Sequence, residues 1–203
     1  MLAVVEGNAR SVLACERVAL NFVQRMSGIA TLTAKFVERV KGTGVKVLDT
    51  RKTTPNLRIF EKYAVAAGGG WNHRLTLAEL AIIKDNHVAI AGGIREAAAR
   101  IRRAQPRALV EIEVDPGTDL EVLEDLNADI LMFDNWEPRE VGRAIRRVRR
   151  FPSKPLVEVS GRMRLESIRK YALAGPDFIS VGCLTHSAPA LDVGLDFTGA
   201  SAA

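Results

Sequence analysis

From residue 45 onward the chain alternates short apolar runs with amphipathic segments. Six runs, "VKVLDT" (45–50), "AIIKDNH" (81–87), "ALVEIEVD" (108–115), "ILMFDN" (130–135), "PLVEVSG" (155–161) and "DFISVGC" (177–183), are β-rich and bounded by turn residues. Such runs read as strands. Between them, stretches such as 94–103 and 164–174 repeat their apolar residues at helical spacing. Strand alternating with helix predicts a mostly parallel sheet, closed or open. The strand runs read as apolar on both faces, as expected when helices cover one side and a barrel core fills the other. The first 43 residues differ: 9–41 reads as helical, with a break expected near "SGIAT" (27–31), and its apolar excess calls for a partner surface.

The 203 residues are 47% hydrophobic, enough for one sizeable core, and a single domain over 1–203 is the expectation. No apolar stretch approaches membrane-spanning length, and the N-terminus lacks the apolar core of a signal peptide. A soluble, cytoplasmic protein is expected. Cys15 and Cys183 stand far apart without metal-ligand spacing, so they read as reduced thiols, Cys183 as a small packing residue. The net charge of +5 raises the question of a nucleic-acid partner. The densest basic cluster, "REVGRAIRRVRRF" (139–151), places Val141, Ala144, Ile145 and Val148 on one helical face and most arginines on the other. It reads as a solvated helix face, since no nucleic-acid module or aromatic interleaving accompanies it.

Polar residues at the strand ends carry the chemical signal. Lys84, Glu113, Asp134, Ser160 and Gly182 lie at or just past the C-terminal ends of strand runs, separated by 29, 21, 26 and 22 residues. Each interval is about one βα unit, so the five converge on the rim where βα-barrels place their sites. The ends of the first two strand runs and the turn between them are basic: Arg51 and Lys52, then His73 and Arg74, then Lys84 and His87. The next two carry Glu113 and Asp134. Clustered guanidinium and ammonium groups bind carboxylates or phosphates. Carboxylates on neighbouring strands suit a divalent cation bridging phosphate oxygens. The small residues of "VSGRM" and "SVGCLTHS" let backbone amides approach a phosphate. Ligand contact is expected for His73 and His186, and for His87 either a structural role or support of the groups that touch the ligand.

The motifs "LDTRKTTP", "EKYAV..GGG.NHR", "IKDNH", "VEIEV", "FDN" and "ISVG.LTHS", with "ER.ALNF.Q..SGIAT" upstream, resemble quinolinate phosphoribosyltransferase, the carboxylating nicotinate-nucleotide pyrophosphorylase family. The resemblance runs from about Gly7 to Asp196. It implies an incomplete, TIM-like α/β barrel of about six parallel strands with an N-terminal helical segment, and a homodimer or higher assembly. The reaction it implies joins quinolinate and phosphoribosyl pyrophosphate to give nicotinate mononucleotide, pyrophosphate and carbon dioxide, a step of de novo NAD biosynthesis. Carried over by motif, Arg51, His73, Arg74 and Lys84 surround quinolinate. Lys52 and His186 reach phosphates of the second substrate. Glu113 and Asp134 approach the ribose hydroxyls and a magnesium-bound diphosphate, and Ser160, Gly161 and Gly182 cradle the 5′-phosphate. Lys84, Glu113 and Asp134 are the residues expected to carry catalysis.

Two departures qualify the resemblance. Arg162 stands where the family's motif has a second glycine. The family's N-terminal domain, which covers a neighbouring subunit's barrel, has no counterpart in these residues, so the resemblance leaves two expectations, a truncated chain or a separate N-terminal-domain partner. The alternatives are a related transferase acting on another pyridine or pyrimidine acid, and a barrel that binds ligand or a partner subunit without turnover.

Overall fold

Each of the six apolar runs becomes a strand, shorter than the run because the polar residues at its end turn out of the ladder. In the computed structural model, which describes residues 1–198, the order is α1 (Ala9–Val40), β1 (Lys46–Leu48), α2 (Arg58–Ala67), β2 (Ala81–Ile83), α3 (Asp85–Ala91), α4 (Ile94–Ala104) and β3 (Val110–Val114). There follow α5 (Glu121–Glu124), β4 (Ile130–Asp134), α6 (Pro138–Val148), β5 (Leu156–Ser160), α7 (Ile168–Ala172), β6 (Phe178–Ser180) and α8 (Cys183–His186). All ladders are parallel, in the order β1-β6-β5-β4-β3-β2. β1 and β2 are consecutive in the chain yet lie at opposite edges, so the sheet is an open barrel. The segment after α2 lies along the free edge of β1: the Trp71 amide donates to Val47 O (2.8 Å) and the Asp49 amide donates to Trp71 O (3.1 Å).

Strand alternation divides the residues between two environments. Val110, Ile112 and Val114 of β3, Leu131 and Phe133 of β4, and Val157 and Val159 of β5 share one face and are buried in the main core with Val141, Ala144, Ile145 and Val148 of α6. Each such valine, leucine, isoleucine or phenylalanine side chain contributes about 1.5–3 kcal/mol on burial. The helix face read from the basic cluster is therefore the observed one. The opposite face is not apolar as expected: Glu111 of β3 and Glu158 of β5 point into the barrel and are 0% and 1% exposed. An apolar barrel filling is replaced there by charge.

The expected break in the first helix is absent, and α1 runs unbroken for 32 residues. Gly28 has another reason to be there. A Cβ at this position would lie 2.0 Å from Pro189 O, so the glycine lets the backbone after α8 cross the helix closely. The N-terminal half of α1 extends past the barrel with Leu13, Val18, Phe22 and Val23 exposed.

Candidate active site

The strand ends bring most of the expected residues to one rim. Lys84 follows β2, Glu113 is the penultimate residue of β3, and Asp134 and Ser160 end β4 and β5 as register partners. Lys84 Nζ donates to Glu113 in an ion pair. The Lys84 amide donates to His87 Nδ1 (3.1 Å), so His87 closes the start of α3, the structural one of the two roles expected of it. Asp134 accepts from Asn135 Nδ2 (2.5 Å).

The phosphate cradle expected from "VSGRM" has its own geometry. Gly161 adopts φ +97°, and a Cβ there would lie 2.4 Å from Asn135 Oδ1, so only glycine fits. Arg162 follows with φ 45°, a left-handed conformation uncommon for arginine. Gly182, Lys52 and His186 converge: a Cβ on Gly182 would lie 3.2 Å from His186 Nε2 and 3.6 Å from Lys52 Cδ. Cys183 packs against the core, and burial raises its thiol, in keeping with a packing role.

The basic turn after β1 is held from below. Glu61 of α2, fully buried, accepts from the Thr54 amide (3.1 Å) and hydroxyl (2.8 Å) and from Arg25 of α1 (2.8 Å). Arg25 also donates to Ala188 O (3.2 Å) and to Thr185 O, while Thr185 Oγ1 donates to Lys52 O (2.7 Å). One half-buried network thus ties the turn carrying Arg51 and Lys52 to the turn carrying His186. Arg51 Nε is buried without a hydrogen-bond partner. Such a donor costs free energy unless a ligand takes it.

A second buried network holds the segment 72–74. Asp49 and Lys62 form an ion pair with both side chains almost fully buried; Lys62 Nζ donates to His73 O (2.7 Å) and the His73 amide donates to Asp49 (2.9 Å). Burial pushes the Asp49 carboxyl up, against the lowering effect of Lys62. The next residue, Arg74, donates to Leu80 O (2.6 Å), which carries the segment from β1 across to the strand at the opposite edge. Burial first, and then the positive charge of Arg51, lower Arg74, and Glu111 opposes them. Arg51 and Arg74 are therefore close enough to repel, an arrangement that an anion between them relieves.

His73 lies deeper than its motif suggested. Its Nε2 is 3.2 Å from Glu111 and 3.4 Å from Glu158, and its side chain is 9% exposed. Both ring nitrogens are engaged within the protein, because the Arg74 amide donates to Nδ1 (2.7 Å). Among the described residues, His73, Glu111 and Glu158 are the one set of three donors gathered within 4.8 Å, the spacing a metal ion would need. Motif reading passed over Glu111, Glu158, Asp49, Lys62, Glu61 and Arg25. A signal existed for two of them: Glu111 and Glu158 stand two residues before Glu113 and Ser160, hence on the same strand face.

Fold and rim together define an open α/β barrel with a strand-end site, basic on one side, acidic and glycine-rich on the other. The family described as "Quinolinate phosphoribosyl transferase, C-terminal domain" matches residues 29–196. The chain belongs to this family. It is 44% identical over 195 residues to the nicotinate-nucleotide pyrophosphorylase [carboxylating] of Mycobacterium leprae, covering 96% of this chain and 69% of that protein. It is 45% identical to the probable enzyme of the same name from Archaeoglobus fulgidus, covering 94% of this chain and 75% of that one. The crystal structure of NadC from Streptococcus pyogenes superposes with a TM-score of 0.84 at 44% identity, over 92% of this chain and 65% of the other. The present chain thus spans about two thirds of the length of proteins it resembles, and the likeness supports the TIM-like barrel.

Proposed function

We propose that this chain forms the phosphoribosyl-transfer site at which quinolinate and phosphoribosyl pyrophosphate become nicotinate mononucleotide, pyrophosphate and carbon dioxide. The observation that carries the reading is the convergence of two anion subsites on one rim. Arg51, Arg74 and Lys84 stand on the basic side. Lys52, Ser160, Gly161, Gly182 and His186 stand on the other, in a family whose relatives bear the name of that enzyme. Arg51 and Arg74, mutually repelled, take the substrate dicarboxylate, and the unpaired Arg51 Nε supplies one donor. Lys84 leaves Glu113 to join them. His73 stands behind these groups.

With the pyridine ring so held, its nitrogen lone pair attacks the anomeric carbon, and the bond to the diphosphate breaks with the electron pair leaving on oxygen. Lys52 and His186 meet charge on the phosphates. The C2 carboxylate then departs as carbon dioxide, its electron pair remaining on C2 beside the pyridinium nitrogen. A proton finally replaces the lost group. No protein nucleophile takes part.

Glu113 and Asp134, oxygen donors on neighbouring strands, suit a hard cation such as magnesium completed by water and diphosphate oxygens. When bound there, the ion would neutralise charge on the departing diphosphate. Glu113 becomes available to it as Lys84 turns to the substrate.

Assembly into a homodimer or higher oligomer, with an N-terminal domain roofing the barrel, is supported by the exposed apolar surface of α1 and α2, where Phe22 stacks edge-on against Phe60 (5.4 Å) beside exposed Val18, Ile59 and Tyr63. No helix among the described residues is long and apolar enough to cross a membrane. The cytoplasm is the compartment we assign, in keeping with two free thiols. The decisive assay follows carbon dioxide release. Release that requires both quinolinate and phosphoribosyl pyrophosphate supports the proposal, and transfer to nicotinate without carbon dioxide overturns the substrate assignment.

A further inference from the structure

Lys52 and His186, the pair assigned to the phosphates, stand on segments that cannot hold themselves. His186 ends α8, a helix of four residues, too short to be stable on its own hydrogen bonds. The amides of Leu184, Thr185, His186 and Ser187 donate over 3.2–3.4 Å, longer than the usual distance of about 2.9–3.0 Å. Lys52 lies in the irregular turn after β1. Both segments need a partner from outside.

Thr185 supplies it, a residue that is fully buried although Lys52 and His186 are exposed. Its hydroxyl has two acceptors in reach, Lys52 O at 2.7 Å and Gly182 O at 3.3 Å. Gly182 O already takes the Thr185 and His186 amides, so the hydroxyl proton goes to Lys52 O. On the other side, Pro189 has no N–H to offer the Thr185 carbonyl four residues before it. Arg25 of α1 takes that place, donating to Thr185 O and to Ala188 O (3.2 Å), and is itself fixed by the buried Glu61 (2.8 Å).

We propose that Thr185 is a positioning residue: its buried hydroxyl, backed by Arg25, latches α8 to the turn after β1 and so sets Lys52 and His186 as one clamp for the phosphates of phosphoribosyl pyrophosphate. This deepens the proposed function and rests on it for the ligand. A Cβ on Gly182 would lie 3.2 Å from His186 Nε2 and 3.6 Å from Lys52 Cδ, so both side chains pass the same glycine. Ser187 Oγ lies 2.6 Å from His186 Nδ1, which leaves Nε2 as the nitrogen free to meet a ligand. Without the latch, Lys52 O loses its partner and the two side chains lose their common frame. The dicarboxylate side has supports of its own. Arg58 donates to Thr53 Oγ1 (3.0 Å) and to Arg51 O (3.4 Å), and Glu61 accepts from the Thr54 amide (3.1 Å).

Thr185→Val keeps the shape of the side chain without its hydroxyl, and Thr185→Ser keeps the hydroxyl. The first measurement needs no substrate: amide hydrogen exchange of the peptide 181–188. Exchange should be roughly tenfold faster in Thr185→Val and within about twofold of the parent in Thr185→Ser, the factor expected for one buried hydrogen bond. Parent-like exchange in Thr185→Val, or no recovery in Thr185→Ser, would overturn the latch. If the valine variant does not fold, Arg25→Lys takes its place, because lysine keeps the charge beside Glu61 but cannot span Thr185 O and Ala188 O together. The same faster exchange is expected there, and parent-like exchange would again overturn the latch. Steady-state constants then read the clamp. In Thr185→Val the KM for phosphoribosyl pyrophosphate should rise roughly tenfold and the KM for quinolinate stay within about twofold, with recovery in Thr185→Ser. Equal rises in both constants would mark a merely structural role and overturn the proposal. Faster exchange in Thr185→Val beside a parent that binds no phosphoribosyl pyrophosphate would support the latch and overturn the function it rests on, which tells the two failures apart.

Discussion

The charged residues of this barrel fall into two regions that differ in what they are paired with. At the rim, Lys84 and Glu113 have side chains 41% and 15% exposed and pair in an arrangement that a ligand can exchange. A few residues below, Asp49, Lys62, Glu61, Glu111 and Glu158 are buried: Asp49 and Lys62 pair with each other, Glu61 is held by Arg25 and Thr54, and Glu111 and Glu158 meet at His73. Water screens the upper layer and lets it reorganise. The lower layer has lost its hydration, so each member depends on its partner. The difference teaches that charge in one site can serve two ends: exposed charge recognises the substrate, and buried charge holds the recognising groups in place.

The sharpest way to break the comparison is to strip one buried partner. Lys62→Ala leaves the Asp49 carboxylate buried and unpaired and frees the His73 carbonyl, so unfolding by denaturant should show a loss of about 3–5 kcal/mol. A loss below about 1 kcal/mol would place that pair among the exposed ones. Lys84→Ala, by contrast, should leave the unfolding midpoint nearly unchanged. It should weaken quinolinate binding by about 1.5–3 kcal/mol, roughly ten- to a hundredfold, and phosphoribosyl pyrophosphate binding far less. Calorimetric titration of each ligand reads the two effects separately, and equal losses would remove Lys84 from the dicarboxylate subsite.

A graded change in pH probes the lower layer without substitution. A group raised in the folded state, as His73 is to about 10, adds stability that is fully present below its ordinary value near 6.5 and lost as pH climbs toward 10. Stability should therefore decline across that window, by at most about 1.4 kcal/mol per pH unit for one proton. Glu158→Gln should flatten the decline, as thermal melting at a series of pH values would show. The smallest effect is expected far from either layer. Arg147 of α6 bridges to Glu121 (2.9 Å) with both side chains exposed, and Arg147→Ala should change stability by less than about 0.5 kcal/mol and leave turnover unaltered. A marked loss of turnover would show that the basic helix face takes part in function.

The rim was legible because its residues recur at the ends of recognisable strands, one per βα unit, and Lys84, Glu113, Asp134 and Ser160 stand where that rhythm put them. The lower layer was less legible. In "VEIEV" and "LVEVS" the glutamates sit among apolar residues in a way that short runs share with surface strands, and period-two alternation does not say whether the second face meets water or a barrel interior. The continuity of α1 through Gly28 was hidden for a similar reason. A glycine reads as a helix breaker until the backbone that crosses it is known.

By itself the sequence determined the six strands, the helices between them and the order of charges along the rim, because periodicity and strand-end chemistry are local properties of the chain. Only the tertiary structure decided that β1 and β2 lie at opposite edges, that His73 turns inward between two buried glutamates, and that Arg25 of the first helix joins the turns bearing Lys52 and His186. Those outcomes depend on contacts between residues dozens to more than a hundred positions apart. Their energies, set by burial and by the partner each charge meets, exist only once the sheet has curled and excluded water.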